Sequence, residues 1–276
     1  MTARTIFLDV DGTLIGHDQH LAPSAIAAVG DARRRGHLVF LSTGRSRSEI
    51  PDEVLAIGFD GVISAGGGFT ERHGVLVDSR LLTARDVEEI QSFLSSRGIE
   101  YIMQGYDAIH PSRGAAERLS SALASGRVGS ERDGADDDEL LARLSYRGAA
   151  PTEGIAKVTF LGDHPRTFAT VRDGLGDGFH VITGTIPYLG EAGGEVSRRG
   201  VDKGAAIERL LAAEGLSLDD AVAIGDSAND LEMLEIVGLG IAMGNADAAV
   251  KAVADEITRP VSQDGVWHAL RSHGLI

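Results

Sequence analysis

Three short segments hold residues whose types and spacing could do chemistry together: Asp9-Val10-Asp11-Gly12-Thr13-Leu14, Ser42-Thr43-Gly44-Arg45 and Gly225-Asp226-Ser227-Ala228-Asn229-Asp230. Asp9, Asp11, Asp226 and Asp230 are four carboxylates, which repel one another at close range unless protonated or bridged by a cation. Hard oxygen donors without His or Cys favour Mg²⁺ over a transition metal. Mg²⁺ keeps several waters and commonly binds substrate phosphate, so two or three protein oxygens suffice. Asp9 and Asp11 stand two apart, which on a regular strand puts both on one face. Gly12 lets the chain turn sharply, so Asp11 can swing away while its backbone carbonyl still faces the metal. One carboxylate could then attack and the other serve as acid and base. Thr43 offers a hydroxyl and Gly44 an unobstructed N–H, both suited to a phosphate oxygen. Lys203 adds a point charge that could neutralise a phosphoryl group and keep Asp9 ionised.

These residues form one site only if the fold brings them together, and the pattern of elements says that it does. Thr5 to Val10, His37 to Ser42, Gly61 to Ala65, Ala221 to Gly225 and Leu239 to Met243 are short apolar runs, each ended by a turn signal. Helical stretches lie between or after them: Pro23 to Arg35, Asp202 to Gly215 with Asp202 as N-cap, Asn229 to Val237, Ala246 to Ala254 and Gly265 to His273. This alternation predicts an α/β, Rossmann-like doubly wound core: a parallel sheet with helices on both faces. In such sheets ligands bind outside the carboxyl ends of the strands, and all three segments stand there. The middle of the chain reads differently, with strands and helices in an α+β insert. The expected boundaries are 1–81 and 184–276 for the core and 82–183 for the insert. Gly184 to Gly194, with Tyr188, reads as the return linker and part of a hinge.

The chain has 276 residues and a net charge of −15, with no cysteine. No basic stripe suited to tracking phosphates is present, which argues against nucleic acid and against an anionic membrane surface as partner. A disulfide framework, a thiol nucleophile and a zinc–thiolate site are all excluded. No run approaches the roughly 20 apolar residues of a membrane span, and the N-terminus lacks a signal-peptide pattern, so a cytoplasmic protein is expected.

The motifs themselves resemble a family. Asp9-Val-Asp-Gly-Thr-Leu14 and Leu41-Ser-Thr-Gly-Arg45 are similar to the first and second motifs of the haloacid dehalogenase-like superfamily. Gly200-Val-Asp-Lys203-Gly and Gly225-Asp226-Ser-Ala-Asn229-Asp230-Leu-Glu-Met-Leu234 are similar to the third and fourth. With its insert between the second and third motifs, the whole chain resembles the Cof-type branch, whose α+β cap is of type IIB. The resemblance implies a Mg²⁺-dependent phosphatase acting on a small phosphorylated metabolite such as a sugar phosphate. Asp9 would form an aspartyl-phosphate, and Asp11 would protonate the leaving oxygen and then activate water. Asp9, the Asp11 carbonyl and Asp226 would hold Mg²⁺, with Asp230 beside them or acting through water. Thr43, Gly44, Lys203 and Asn229 would contact the phosphate. The cap would choose the substrate and close over the rim, with Tyr101, Gln104, Tyr106 and His110 as candidates for its cleft-facing surface.

One departure stands out: Gly66-Gly67-Gly68 occupies the place where many Cof-type members carry Asn-Gly-Ala. Arg45 has two readings, a contact to substrate or cap and an ion pair within the core. The acidic run from Glu131 reads as solvated surface and Trp267 as packing, while His17, His20 and His110 lack metal-like spacing. Taken singly, Asp11-Gly12 is a common turn, Lys203 a solvated helix residue and Asn229 an N-cap; their joint placement on strand ends is what points to a site. The competing functions are a phosphoryl transferase or mutase, and a catalytically idle binding module on the same fold. The short interval between the first two motifs argues against a mutase cap, and the complete set of carboxylates against idleness.

Overall fold

The computed structural model describes residues 3–16, 20–124, 142–184 and 192–276. His17, the run from Glu131 to Glu139 and Tyr188 lie outside these residues. The chain divides into two compact units, one of Met1–Arg45, Glu49–Ser79 and Asp202–Ile276, the other of Ser46–Ser48 and Arg80–Val201.

The first unit begins with β1 (Thr5–Leu8), β2 (Leu38–Ser42), β3 (Gly61–Ser64), β4 (Phe69–Arg72) and β5 (Val75–Ser79). The second unit contains β6 (Glu100–Gly105), β7 (Ile109–Pro111), β8 (Ile155–Leu161), β9 (Phe179–Thr183) and β10 (Gly194–Arg198). The first unit is completed by β11 (Ala221–Gly225), β12 (Leu239–Ala242) and β13 (Glu256–Ile257).

The sheet of the first unit has eight strands in the order β13-β12-β11-β1-β2-β3-β4-β5. From β13 to β3 all pairs are parallel, and β4 and β5 close the edge antiparallel. Every residue of β1, β3 and β11 is buried, as strands covered on both faces require. Alternate side chains build two cores: Ile6, Leu8, Val39, Leu41 and Ile224 on one face, Phe7, Phe40, Ala223, Ile207 and Leu211 on the other. The chain runs outward from β1 through β2 to β3, then places β11 on the opposite side of β1. That reversal of strand order opens the crevice at the carboxyl ends where α/β proteins bind ligands.

The helix Lys203–Glu214 delivers a basic side chain to this crevice. Asp202 caps it, its Oδ1 accepting from the Ala205 N–H at 2.7 Å, and Gly215 ends it in the left-handed region at φ 68°. Its buried residues Ala206, Ile207, Leu210 and Leu211 lie in the second core, which fixes its angle against the sheet.

The triple glycine has a backbone explanation. Gly66 and Gly67 adopt φ of 62° and 98°, and a Cβ on Gly67 would stand 2.1 Å from the carbonyl oxygen of Asp202. The turn therefore packs backbone to backbone against the cap of the helix that carries Lys203, and Arg209 of that helix donates to the Gly67 carbonyl at 3.3 Å. We expect Gly67→Ala to cost at least about 1–3 kcal/mol in denaturant unfolding, because the clash falls on backbone that has no rotamer to give.

The second unit carries an antiparallel sheet of order β7-β6-β8-β10-β9 with the helices Ala84–Ser95, Arg113–Ala124 and Thr167–Gly174. Thr83 and Asp86 form the capping box of the first. The chain does not return to the first unit at 184, where the sequence pattern places the boundary. Gly194–Arg198 pairs with both β8 and β9, so the unit extends through Val201 and Gly194 belongs to a strand rather than a linker. Tyr101 is also no surface residue; it is buried in the unit's main core with its hydroxyl accepting from Gln91 at 2.9 Å. Gln104 is buried beside Thr159, and Lys157 and Glu195 form a buried ion pair at 2.8 Å across β8 and β10. Among the described residues no helix is long and apolar enough to cross a membrane.

Candidate active site

Asp9, Asp11, Thr43, Gly44, Arg45, Asp226, Asn229 and Asp230 lie in the first unit on the loops and turns that follow its parallel strands, and Lys203 opens the helix Lys203–Glu214 of the same unit. Asp9 follows β1 directly, its N–H donating to the Ile224 carbonyl at 3.0 Å, so the strand pairing runs up to the carboxylate. Asp226 follows β11 directly. Asp230 lies four residues on, in the short turn that opens the helix Leu231–Ile236. Ligand oxygens of Asp9, Asp226 and Asp230 fall within 4.8 Å of one another.

Lys203 holds the cluster together. Its Nζ donates to Asp9 Oδ1 and Asp230 Oδ1, each at 2.6 Å, and to Asn229 Oδ1 at 3.2 Å, and its side chain is completely buried. A lysine at the first position of a helix faces the positive end of the dipole, so these acceptors outweigh a local preference for the opposite charge. Asp230 uses its other oxygen to accept from the backbone N–H groups of Asp226 and Ser227 at 2.9 and 3.0 Å. Its carboxylate thereby shapes the loop that presents Asp226. Gly225 permits this, since a Cβ there would meet the Asp230 carboxyl at 2.5 Å.

The electrostatics follow from this crowding. Burial, then the charge of Asp230, raise the Asp9 pKa well above the ordinary carboxylate value despite Lys203. Burial, again with Asp230, pushes Asp226 up to about 7. Burial works against the charge on Lys203, yet Asp230 and Asp9 outweigh it and raise its pKa above that of an ordinary lysine. Lys203 stays charged, and one cation is shared between two carboxylates.

Asp11 stands apart from the cluster by its carboxylate. Arg45 grips it in bidentate fashion, Nε to Oδ2 at 2.8 Å and Nη2 to Oδ1 at 2.6 Å, and donates its third nitrogen to the Glu49 carbonyl at 3.1 Å. The structure thus gives Arg45 an ion pair within this unit. Gly12, directly after Asp11, adopts φ 84°, and a Cβ there would stand 2.1 Å from Asp226 Oδ2. Glycine there lets the first loop lie directly against the metal-type cluster.

Thr43 is buried, its main chain pinned by Thr43 N–H to the Ile63 carbonyl at 2.9 Å and Gly66 N–H to the Thr43 carbonyl at 3.0 Å. Its hydroxyl oxygen accepts from the Arg45 N–H at 3.1 Å. Gly44 is buried in the same loop. Asn229 is buried, with Oδ1 accepting from Lys203 and from Ser227 Oγ at 3.0 Å. Two residues absent from the sequence-based set reach Asp226: Thr13 Oγ1 at 3.4 Å and Asn245 Nδ2 at 3.4 Å. The available signal for Asn245 was its place just after a parallel strand, on the same rim.

The donor set fits a divalent cation. It is made of carboxylate oxygens alone, and the four carboxylates, when all are ionised, exceed the two cations Lys203 and Arg45 by two negative charges in a partly buried place. A dication there would supply the opposing charge that the raised Asp9 and Asp226 lack.

The chain matches the haloacid dehalogenase-like hydrolase family over residues 6–270, and it belongs to that family. Its full-length relatives include the phosphatase YwpJ of Bacillus subtilis, 28% identical over 97% of this chain and 99% of that protein. The pyridoxal phosphate phosphatase YbhA of Escherichia coli is 27% identical over 99% of each. A solved subclass IIB sugar phosphatase of the superfamily shares the fold with a TM-score of 0.78 at 20% identity, over 99% of this chain and 100% of that one.

Proposed function

We propose that this hydrolase is a Mg²⁺-dependent phosphatase that releases phosphate from a small phosphomonoester through an aspartyl-phosphate on Asp9. The observation that carries the reading is the cluster of Asp9, Asp226 and Asp230 knotted by a fully buried Lys203. Asp9 attacks phosphorus and the bond to the leaving oxygen breaks, with Asp11 giving that oxygen its proton. Asp11 then takes a proton from water, which attacks phosphorus and frees Asp9. For this Asp11 must exchange Arg45 for the substrate, and Arg45 is the residue that parks it between turnovers. Lys203 and the amide of Asn229, with Thr43 and Gly44, neutralise and orient the phosphoryl oxygens. Asp9, Asp226 and the Asp11 carbonyl would hold Mg²⁺, with Asp230 supporting them, and the ion would add positive charge beside the transferring phosphoryl group. The second unit acts as the cap that sets which leaving group is accepted.

The test is phosphate release from a panel of sugar phosphates, pyridoxal phosphate and other small monoesters, with EDTA and with Mg²⁺. Release that depends on Mg²⁺ is expected. Metal-independent turnover would overturn the metal assignment, and release from no member would favour a transferase or a binding module.

Metal binding should also move protons. Between about pH 4, where free carboxyls titrate, and about pH 7, folded Asp226 retains a proton that the unfolded chain has lost. The metal-free fold therefore loses stability as pH rises through that window, and Mg²⁺ must displace the proton to bind. Calorimetry in buffers of different ionisation heat is expected to show greater proton release on Mg²⁺ binding at pH 6 than at pH 8. Equal release at both would contradict the assignment of Asp226 as ligand.

A further inference from the structure

We infer that Asn245 is a positioning residue that fixes the Asp226 carboxylate and the first catalytic loop as one metal-binding unit. The inference rests on the Mg²⁺-dependent reading above. Asn245 lies on the loop after β12, outside the motifs that define the family resemblance. Its Nδ2 donates to the Gly12 carbonyl at 2.9 Å and lies 3.4 Å from Asp226 Oδ2, while its Oδ1 accepts from the Val261 N–H at 2.8 Å. The amide orientation is set by this network. Turned over, it would put its NH₂ against an N–H and its oxygen against two oxygens. One side chain thereby ties together the Gly12 turn, the carboxylate after β11 and the segment that leads into the last helix.

The loop that carries Asn245 is itself anchored on both sides. Met243 N–H donates to the Gly225 carbonyl at 2.9 Å and Gly244 N–H to the Arg259 carbonyl at 3.1 Å. Glycine is required at 244, where a Cβ would stand 2.5 Å from the Pro260 nitrogen. Asp226 is then addressed from two loops, with Thr13 Oγ1 3.4 Å from Oδ1 and Asn245 at Oδ2. Such partners hold a ligand carboxylate in its binding rotamer, and their loss typically weakens metal affinity by about 10–100-fold. Gly12 belongs to the turn that follows Asp11, so the same amide also steadies the segment whose Asp11 carbonyl is assigned to the metal.

Two variants test this. Asn245→Ala removes both arms of the amide. Val261→Pro leaves Asn245 in place and removes the N–H that orients it, together with some packing of the Val261 side chain against the first core, which the unfolding measurement registers separately. Val261 opens a short helical turn after Pro260, whose φ of −59° and ψ of 157° accept a following proline. Mg²⁺ affinity is measured by calorimetry, thermal unfolding of the metal-free protein is recorded alongside, and the Mg²⁺ concentration for half-maximal phosphate release is followed. The expected result is a Kd raised about 10–100-fold in Asn245→Ala and by a smaller factor in Val261→Pro, with half-maximal Mg²⁺ rising in step. A merely structural amide would lower the unfolding temperature and leave the Kd alone, so a Kd within about fivefold of wild type in Asn245→Ala would overturn the inference. Wild-type protein that binds no Mg²⁺ would instead overturn the metal reading, and this inference with it.

Discussion

Asp9→Asn is expected to reduce phosphate release by at least about 10⁴-fold, to the background of the assay, while the protein remains folded. The loss follows because an amide oxygen is a poor nucleophile and no other carboxylate can replace it. Asp226 and Asp230 are held by hydrogen bonds from Thr13, Asn245, Lys203 and the backbone, and Asp11 is held by Arg45. The fold should tolerate the change for three reasons. The main chain at Asp9 is fixed by its bond to Ile224, the amide has the same shape, and Lys203 keeps Asp230 at 2.6 Å. Burial and the Asp230 charge already work against ionised Asp9, so a neutral side chain there removes a repulsion as well as an ion-pair partner. Thermal unfolding is therefore expected within a few degrees of wild type, in either direction. A variant that releases phosphate at the wild-type rate would remove Asp9 from the role of nucleophile, and one that fails to fold would show that Lys203 needs both carboxylates.

Much of this site was legible in sequence because parallel strands buried on both faces read as short apolar runs, and each run here stops at a polar turn. β1, β2 and β11 fall within one or two residues of the expected runs, and the helix after Asp202 starts and stops at its cap and its glycine. What escaped was what only pairing creates. β4 follows the glycine turn at once and contains Thr70, Glu71 and Arg72, so its interior place depends on β3 and β5 on either side. β10 reads Gly-Glu-Val-Ser-Arg, and its Glu195 is at home in the sheet only because Lys157 of β8 stands opposite in charge at 2.8 Å. That missing partner is why the end of the insert was expected too early. Arg45 had two equally good partners on paper, and the choice was made by the loop that turns it onto Asp11. Asn245 reaches Gly12 across most of the chain's length, a contact no local pattern encodes.

Lys203→Met should be the most damaging single change in the core, because it harms stability and chemistry through the same atoms. Methionine keeps the unbranched stem of lysine without its ammonium and leaves Asp9 and Asp230, which Lys203 bridges at 2.6 Å each, as buried neighbours with no cation between them. Removing one member of a buried charged group typically costs about 3–5 kcal/mol, since the partners keep their desolvation without their attraction. Activity is expected to fall by at least about 10³-fold, through loss of the charge that meets the phosphoryl oxygens. The pH dependence separates this cause from simple loss of packing. Asp9 is already raised by burial and by Asp230, and without the opposing pull of Lys203 it would rise further. A carboxyl raised in the fold destabilises it as pH climbs above the unfolded value, so the deficit of Lys203→Met relative to wild type should be larger at pH 8 than at pH 5. Urea unfolding at the two pH values measures it. Lys203→Arg should not restore activity, because a planar fork cannot place one nitrogen within 2.6 Å of both carboxylates and 3.2 Å of Asn229 as the ammonium does. A deficit independent of pH would mean that the lysine matters for its volume and not its charge, and the electrostatic account of the site would then fail at its centre.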